Sequence, residues 1–274
     1  MRETLEGVEE IFDRRAKRDT TAVVEHLWAT TEELMSKLRD RFELARDPST
    51  ADLESYRGAA EYPAGRLAAY TGPEIDWLVH SWMGNPPLGF TNMHVTVWLG
   101  PHIEVPHFGF ACGTLPDVWF YVDYNPRSDL MLDTAALERY YQPLNEQFLA
   151  LRADPGLVPF TSKALYVRQA LSHVALCFTT EATPQRLAQI RELAHDRLDR
   201  WLHHLDEAEP TRPDRRALLA VHDLTRRRNI AERDPANVMG VRFFGEAMTD
   251  RLVRALWGGD RLLGRPGEDT TKAE

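Results

Sequence analysis

Residues 75–125 carry four runs of β-forming residues in close succession: IDWLVHSWM (75–83), TNMHVTVWL (91–99), HFGFACG (107–113) and VWFYVDY (118–124). Clusters of Gly, Pro, Asn and Asp separate them at hairpin-like distances, which favours antiparallel pairing of neighbours. The flanking sequence supplies helices to cover such a sheet. Apolar residues recur at helical spacing within 3–46, for example Val8, Ile11 and Phe12, then Val24, Leu27, Trp28, Leu34 and Leu38. Residues 47–73 are broken by Pro and Gly into loops and short strands. After the meander, 134–151 reads as a helix and 163–180 as one or two further strands. A long amphipathic helix follows, opened by Thr183 and Pro184 as cap and first-turn residue. An arginine-rich helix comes next, and 233–259 closes in a helix with Met248, Leu252, Val253 and Leu256 on one face and a Gly-Gly stop. Strands in the middle with helices at both ends predict an α+β fold, an antiparallel sheet covered by helices. We expect one domain over residues 1–260, its first 70 residues a mainly helical section, with a flexible tail at 261–274.

Composition narrows the function classes. With 43% apolar and 27% charged residues the chain is an ordinary globular one. A formal charge of −9 argues against nucleic-acid binding, which needs a basic face. Six arginines within 212–228 form a local exception, read as a solvated helix face or a docking patch. Cys112 and Cys177 sit in apolar runs and read as buried thiols of a reducing compartment, neither a disulfide framework nor metal ligands. The N-terminus lacks the apolar run of a signal peptide, and no stretch of 18 apolar residues occurs, so a cytosolic protein without membrane association is expected.

The segment 90–113 packs His94, His102, His107 and Glu104 into what otherwise reads as two strands. Alternation places Asn92, His94, Thr96 and Trp98 on one face of the first strand, with Met93, Val95, Val97 and Leu99 on the other. A buried imidazole must find partners for its ring nitrogens. Three readings compete for these histidines: core histidines with satisfied nitrogens, a converging metal site, and a site of proton transfer. The metal reading lacks any HExxH-like spacing. His102, beside the Gly100-Pro101 turn, reads as exposed.

The run from His94 through Pro106-His107-Phe108-Gly109 resembles the strand pair of the ferredoxin-dependent bilin reductases. VWFYVDYNPRSDL (118–130), with Asp123, Arg127 and Asp129, is similar to the strand and loop of red chlorophyll catabolite reductase, the chlorophyll-breakdown branch of that superfamily. KALYVRQALS (163–172) is similar to its next strand, and RDPANVMGVRFFGEAMTDRLVRAL (233–256) to its closing helical segment. The four blocks keep their order over residues 75–257, whereas the first 70 residues carry no usable likeness. The resemblance implies a three-layer α/β/α sandwich with a linear tetrapyrrole between the sheet and the C-terminal helices. It further implies no tightly bound cofactor or metal: reduced ferredoxin delivers electrons singly, the substrate passes through radical states, and side chains supply protons. His94 and Asp234 are then the catalytic candidates, one a near-neutral proton donor, the other an acid whose pKa burial would raise. Asp234, before a proline, reads equally as a helix cap. Asn92, Thr96, His107 and Ala111 are expected to line the substrate site, with Arg168 and Arg233 as candidates for binding propionates. Arg226, Arg227 and Arg228 are candidates for docking the acidic ferredoxin.

The family's central acid, aspartate in one branch and glutamate in the other, falls at Ala111 in this chain. A methyl group donates no proton, so the resemblance implies altered chemistry. The preceding strand offers His80 and Trp82 where a glutamate is expected, and His107 lies four residues from the vacant position. Three functions follow: a tetrapyrrole reductase with altered regiochemistry, a relative acting on another conjugated or aromatic substrate in a specialised pathway, or a non-catalytic tetrapyrrole carrier. The superfamily contains both monomers and homodimers, and either state is expected.

Overall fold

The computed structural model describes residues 8–58 and 61–261. Two helices, α1 (Val8–Arg14) and α2 (Thr21–Arg41), open the chain. Short strands β1 (Ala45–Arg46) and β2 (Tyr56–Arg57) precede β3 (Ala64–Thr71), and the meander follows: β4 (Ile75–Asn85), β5 (Phe90–Leu99), β6 (His107–Leu115) and β7 (Asp117–Asn125). All four strand runs read from the sequence are therefore present. Then come α3 (Thr134–Ala136), α4 (Asn145–Ala153), β8 (Val158–Pro159), α5 (Leu165–Ala170), β9 (Leu176–Thr180), α6 (Pro184–Asp206), α7 (Pro213–Glu232), α8 (Asn237–Phe244) and α9 (Glu246–Trp257). The sheet order is β1-β3-β4-β5-β6-β7-β9-β8, with β2 beside β3 and every pairing antiparallel.

Helices cover both faces, which gives the three-layer sandwich. On one face α2 and α6 bury Leu27, Leu34, Leu38, Leu198 and Trp201 against Met93, Val95, Val97, Phe108 and Phe110. This is the larger apolar core. On the other, Leu252 and Ala255 of α9 meet Leu67, Trp77, Val79 and Trp98. The split follows the two-residue period of the strands, which sends alternate side chains to opposite faces. The Thr183 side chain accepts from the Arg186 N–H at 3.2 Å, so α6 starts where its cap residue and Pro184 predict. Gly245, at φ +80°, supplies the left-handed residue that turns α8 into α9.

The first 70 residues are helical only as far as Arg41, and the loops and short strands read over 47–73 are present, with Gly65, Leu67 and Ala69 alternating with Arg66, Ala68 and Tyr70 along β3, which pairs with β4. Two local expectations differ from the structure. The helix expected over 134–151 is interrupted: a wide turn at Leu137–Tyr141 and Pro143, which has no N–H to donate, delay α4 to Asn145. The run 163–180 splits into a short helix and one strand, because at its middle the Ser172 N–H and hydroxyl both donate to buried Asp123, at 2.8 and 2.5 Å. The six residues LYVRQA are too few to separate helix from strand by periodicity. At the C-terminus Arg261 is held by Asp76, at 2.5 Å from its carboxylate and 2.7 Å from its carbonyl, and the rest of the expected tail lies outside the described residues.

Candidate active site

Residues paired across an antiparallel sheet project to the same side. The register therefore carries one row over five strand pairs, from Leu67 through Ser81, His94, Ala111 and Tyr121 to Cys177. Leu67 packs on α9, so the whole row faces the C-terminal helices. On β5 and β7 the two faces differ in cover. Val95, Val97, Val118, Phe120 and Val122 are sealed under α2 and α6. Asn92, His94, Thr96, Trp119 and Tyr121, on the other side, are all partly exposed. The sheet is thus the floor of a cleft, roofed by α8 and α9 over β3 to β5, while α7 reaches the first residue of β6 through Asp223 and the end of β7 through Arg226.

At the roofed end is a cavity of about 70 Å³, lined among others by Ser81, Asn92, His94, Asp234, Asn237 and Thr249. His94 and Asp234, more than a hundred residues apart in sequence, thus border one space. Among the described residues neither nitrogen of His94 has a protein hydrogen-bond partner. Burial lowers its pKa to about 4, so the ring is neutral, with one N–H and one lone pair free for a ligand. Burial raises Asp234, opposed by the Ala236 N–H, which donates to Oδ1 at 2.8 Å. One oxygen of Asp234 is thus engaged in the turn that leads into α8, and the other has no partner among the described residues. Asn92 Oδ1 is a buried acceptor without a donor, which marks a place for a ligand N–H.

The other sequence candidates scatter. Thr96 lies one row below His94, opposite Gly109, on the cleft floor. Ala111 is the direct partner of His94 and leaves the floor flat there. His107 shares the face but is fully buried away from the cavity, which corrects its assignment to the substrate site. Its Nδ1 accepts from the Leu99 N–H at 3.0 Å, its Nε2 lies 3.0 Å from Asp223, and Trp98 covers its ring. Because a donor occupies Nδ1, the proton of the neutral ring sits on Nε2, toward the carboxylate. His80 points to the opposite face, stacked on Trp28 at 4.4 Å with Nε2 3.0 Å from the Thr31 hydroxyl. It is a core histidine.

Arg168 and Arg233 are both exposed and neither lines the cavity. Arg168 donates to the Ser162 carbonyl at 3.2 Å, and Arg233 lies 4.2 Å from the centre of the Tyr166 ring on the same short helix. They stand at the rim, on α5 and at the end of α7, with no carboxylate partner among the described residues. The arginine triplet is not a surface patch. Arg227 is buried between Trp77 and Trp98 and paired with Asp76 at 3.0 Å, and Arg228 is paired with Glu232 at 2.7 Å. Arg226 clamps the carbonyls of Pro126, Gln169 and Ala170. Helical periodicity turns consecutive residues to different faces, so a run of three cations on one helix is spread around it.

A second, larger cavity of about 650 Å³ lies at the other end of α7, against loop 126–131 and Ser172–His173. It holds neither His94 nor Asp234. Among the described residues no group of three or more His, Cys, Asp or Glu is placed to hold a metal ion, and no helix is long and apolar enough to cross a membrane. Ser81 and Asn237 line the cavity, and the sequence did not single them out. Strand parity alone places Ser81 and Tyr121 on the His94 face once the register is known.

The family model described as red chlorophyll catabolite reductase matches residues 29–257, reaching well into the N-terminal section where the sequence showed no usable likeness. Red chlorophyll catabolite reductase of Hordeum vulgare is 25% identical over 189 residues, covering 64% of this chain and 90% of that protein. Red chlorophyll catabolite reductase 1 of Oryza sativa subsp. japonica, described as chloroplastic, is 25% identical over 229 residues, 75% of this chain and 68% of that one. Among solved structures, phytochromobilin synthase from tomato in complex with biliverdin superposes with a TM-score of 0.69 at 15% identity, over 83% of this chain and 81% of that one.

Proposed function

From membership of the red chlorophyll catabolite reductase family, to which this chain belongs, we propose that the protein reduces an open-chain tetrapyrrole with electrons from reduced ferredoxin and protons from its own side chains. The observation that carries this reading is the meeting of His94 and Asp234 at one cavity between the sheet and the C-terminal helices. The pigment lies across the sheet. An engineered cavity that accepts benzene is about 150 Å³, so the 70 Å³ beside His94 encloses only the end of such a molecule. The remainder extends over the flat floor at Ala111 toward β7. Asn92 Oδ1 accepts from a pyrrole or lactam N–H at the enclosed end, which satisfies the orphaned acceptor.

Proton supply divides by environment. Asp234, raised by burial, is the proton reservoir. His94 is held neutral by burial and gains basicity as negative charge develops on the pigment after each electron arrives. An imidazole with both nitrogens free can then pass a proton onward. Arg168 and Arg233, exposed at the rim, suit the carboxylates of the pigment and the approach of an acidic electron donor.

Ala111 supports a change in which position is reduced, since the partner of His94 brings no acid. The test mixes the purified protein with biliverdin and with chlorophyll-derived open-chain tetrapyrroles, with and without a ferredoxin reducing system, and reads spectra and product masses. A reductase shifts the pigment spectrum on binding and bleaches or shifts it again on reduction. A binding shift that reduced ferredoxin leaves unchanged makes the protein a carrier. No shift with any of these pigments points to a different conjugated substrate.

A further inference from the structure

The acid missing at position 111 has a neighbour able to replace it. We propose, resting on the reductase reading above, that Tyr121 is a second proton donor of the cleft, acting on the part of the pigment that lies beyond Ala111.

The register sets Tyr121 directly opposite Ala111, on the face that bears His94. Its ring lies back over Gly109 of β6: a Cβ at 109 would come within 3.0 Å of its Cε1 and 3.1 Å of its hydroxyl. Glycine at 109 thus leaves the space in which the phenol lies along the floor. Asn125 Nδ2 donates to the hydroxyl oxygen at 3.0 Å, and no described residue accepts the hydroxyl's own proton. With a lone pair engaged, that proton is left for a ligand in the cleft.

The remaining titratable groups on this part of the face are committed or sealed. Asp123 is 1% exposed and receives both donors of Ser172, and His107 is locked between Leu99 and Asp223. The Cys177 thiol is pushed up by burial and by Asp123, and it has no oriented partner among the described residues. Burial, then Asp123 and Cys177, push the Tyr121 phenol well above its ordinary value, so it holds its proton until a strong base forms beside it; the Asn125 hydrogen bond and the charge of Arg226, which has no carboxylate within 4.0 Å among the described residues, act the other way.

The step balances as follows. One electron from a reduced iron–sulfur donor converts the conjugated pigment to its radical anion, a far stronger base than the parent. A bond from hydrogen to the pigment forms as the O–H bond of Tyr121 breaks, which leaves a neutral radical and a phenolate beside Asn125 and Arg226. A second electron and a proton from Asp234 complete the two-electron reduction, and two protons from solvent, one to the phenolate at the open side of the cleft and one to the Asp234 carboxylate, restore both donors. His94 and Tyr121 are two strands apart, about 10 Å, so the two ends of one pigment meet different donors.

The test is Tyr121→Phe, which keeps the ring over Gly109 and removes only the hydroxyl. Pigment affinity is expected to stay within about twofold, while turnover with reduced ferredoxin falls by about 10²-fold or more and an organic radical accumulates, read by electron paramagnetic resonance. Adding Ala111→Asp to Tyr121→Phe is expected to recover at least about tenfold of the lost rate, by returning a carboxyl to the floor. Turnover of Tyr121→Phe within about twofold of the unaltered protein, with no added radical, overturns the role of Tyr121 and leaves the reductase reading intact. If the unaltered protein reduces no open-chain tetrapyrrole, both fall together. Should Tyr121→Phe not fold, a difluorotyrosine at 121 makes the phenol a stronger acid within the same shape. Faster decay of the radical then supports the proposal, and unchanged decay overturns it.

Discussion

His94 on β5 and Ala111 on β6 stand directly opposite each other beneath the C-terminal helices. An imidazole facing a methyl has no anion to hold a second proton on its ring, and burial keeps it neutral, with a pKa of about 4. A glutamine at 94 keeps a hydrogen-bonding group of similar reach and cannot relay a proton. His94→Gln is expected to bind pigment normally and to lose turnover by about 10²–10⁴-fold. Its melting temperature should hardly move, since no protein hydrogen bond among the described residues is broken. Single-turnover spectra with reduced ferredoxin, beside a thermal melt, check both halves.

Asp234 has two duties that two substitutions separate. Its Oδ1 accepts from the Ala236 N–H, and asparagine performs that capping as well as aspartate does. Asp234→Asn should therefore melt close to the unaltered protein yet lose turnover, because an amide holds no transferable proton. Asp234→Ala should lose the same activity and, in addition, about 0.5–2 kcal/mol of stability. Equal activity of the asparagine variant and the unaltered protein would reduce Asp234 to a cap.

The meander and its handedness of faces were legible because strand periodicity is local: alternation alone put Asn92, His94, Thr96 and Trp98 together, and the register keeps them so. The pairing of His94 with Asp234 came from the family resemblance, since no local signal joins residues so distant in sequence. What the sequence could not show is where a side chain goes once parity is known. His94 and His107 face the same way, and only packing decides that one meets a cavity while Trp98, Leu99 and Asp223 enclose the other. Tyr121 was hidden for a similar reason, because its hydroxyl gains a role only from Gly109 beneath it and Asn125 beside it.

His107 is accordingly expected to matter for folding rather than chemistry. His107→Leu fills the volume but leaves the buried Leu99 N–H without an acceptor and removes one partner of Asp223, whose other partner Arg127 lies 2.5 Å away. An orphaned buried donor costs about 1–3 kcal/mol. Chemical denaturation should show that loss. The rate per folded molecule should stay near that of the unaltered protein, which a proton donor at 107 would not allow.

The buried histidines also set how stability responds to acid. Burial holds His80 down to about 3 and both His94 and His107 to about 4, whereas in the unfolded chain each has its ordinary value of 6.5. Between pH 6.5 and those lower values the unfolded state binds protons that the folded state refuses, so stability falls as pH falls through that window. A shift of this size corresponds to on the order of 3 kcal/mol for each histidine. Asp123 works the other way. Burial lifts it to about 6 from 3.8, so between these values the folded state holds the extra proton and gains stability as pH drops. Three histidines outweigh Asp123, and the net expectation is a steep loss of stability between pH 6 and 4. Replacing His80 by glutamine, which can still bond the Thr31 hydroxyl, should flatten the pH dependence of the denaturation free energy by about a third of the histidine contribution. An unchanged slope in His80→Gln would mean that His80 titrates alike in the folded and unfolded chain.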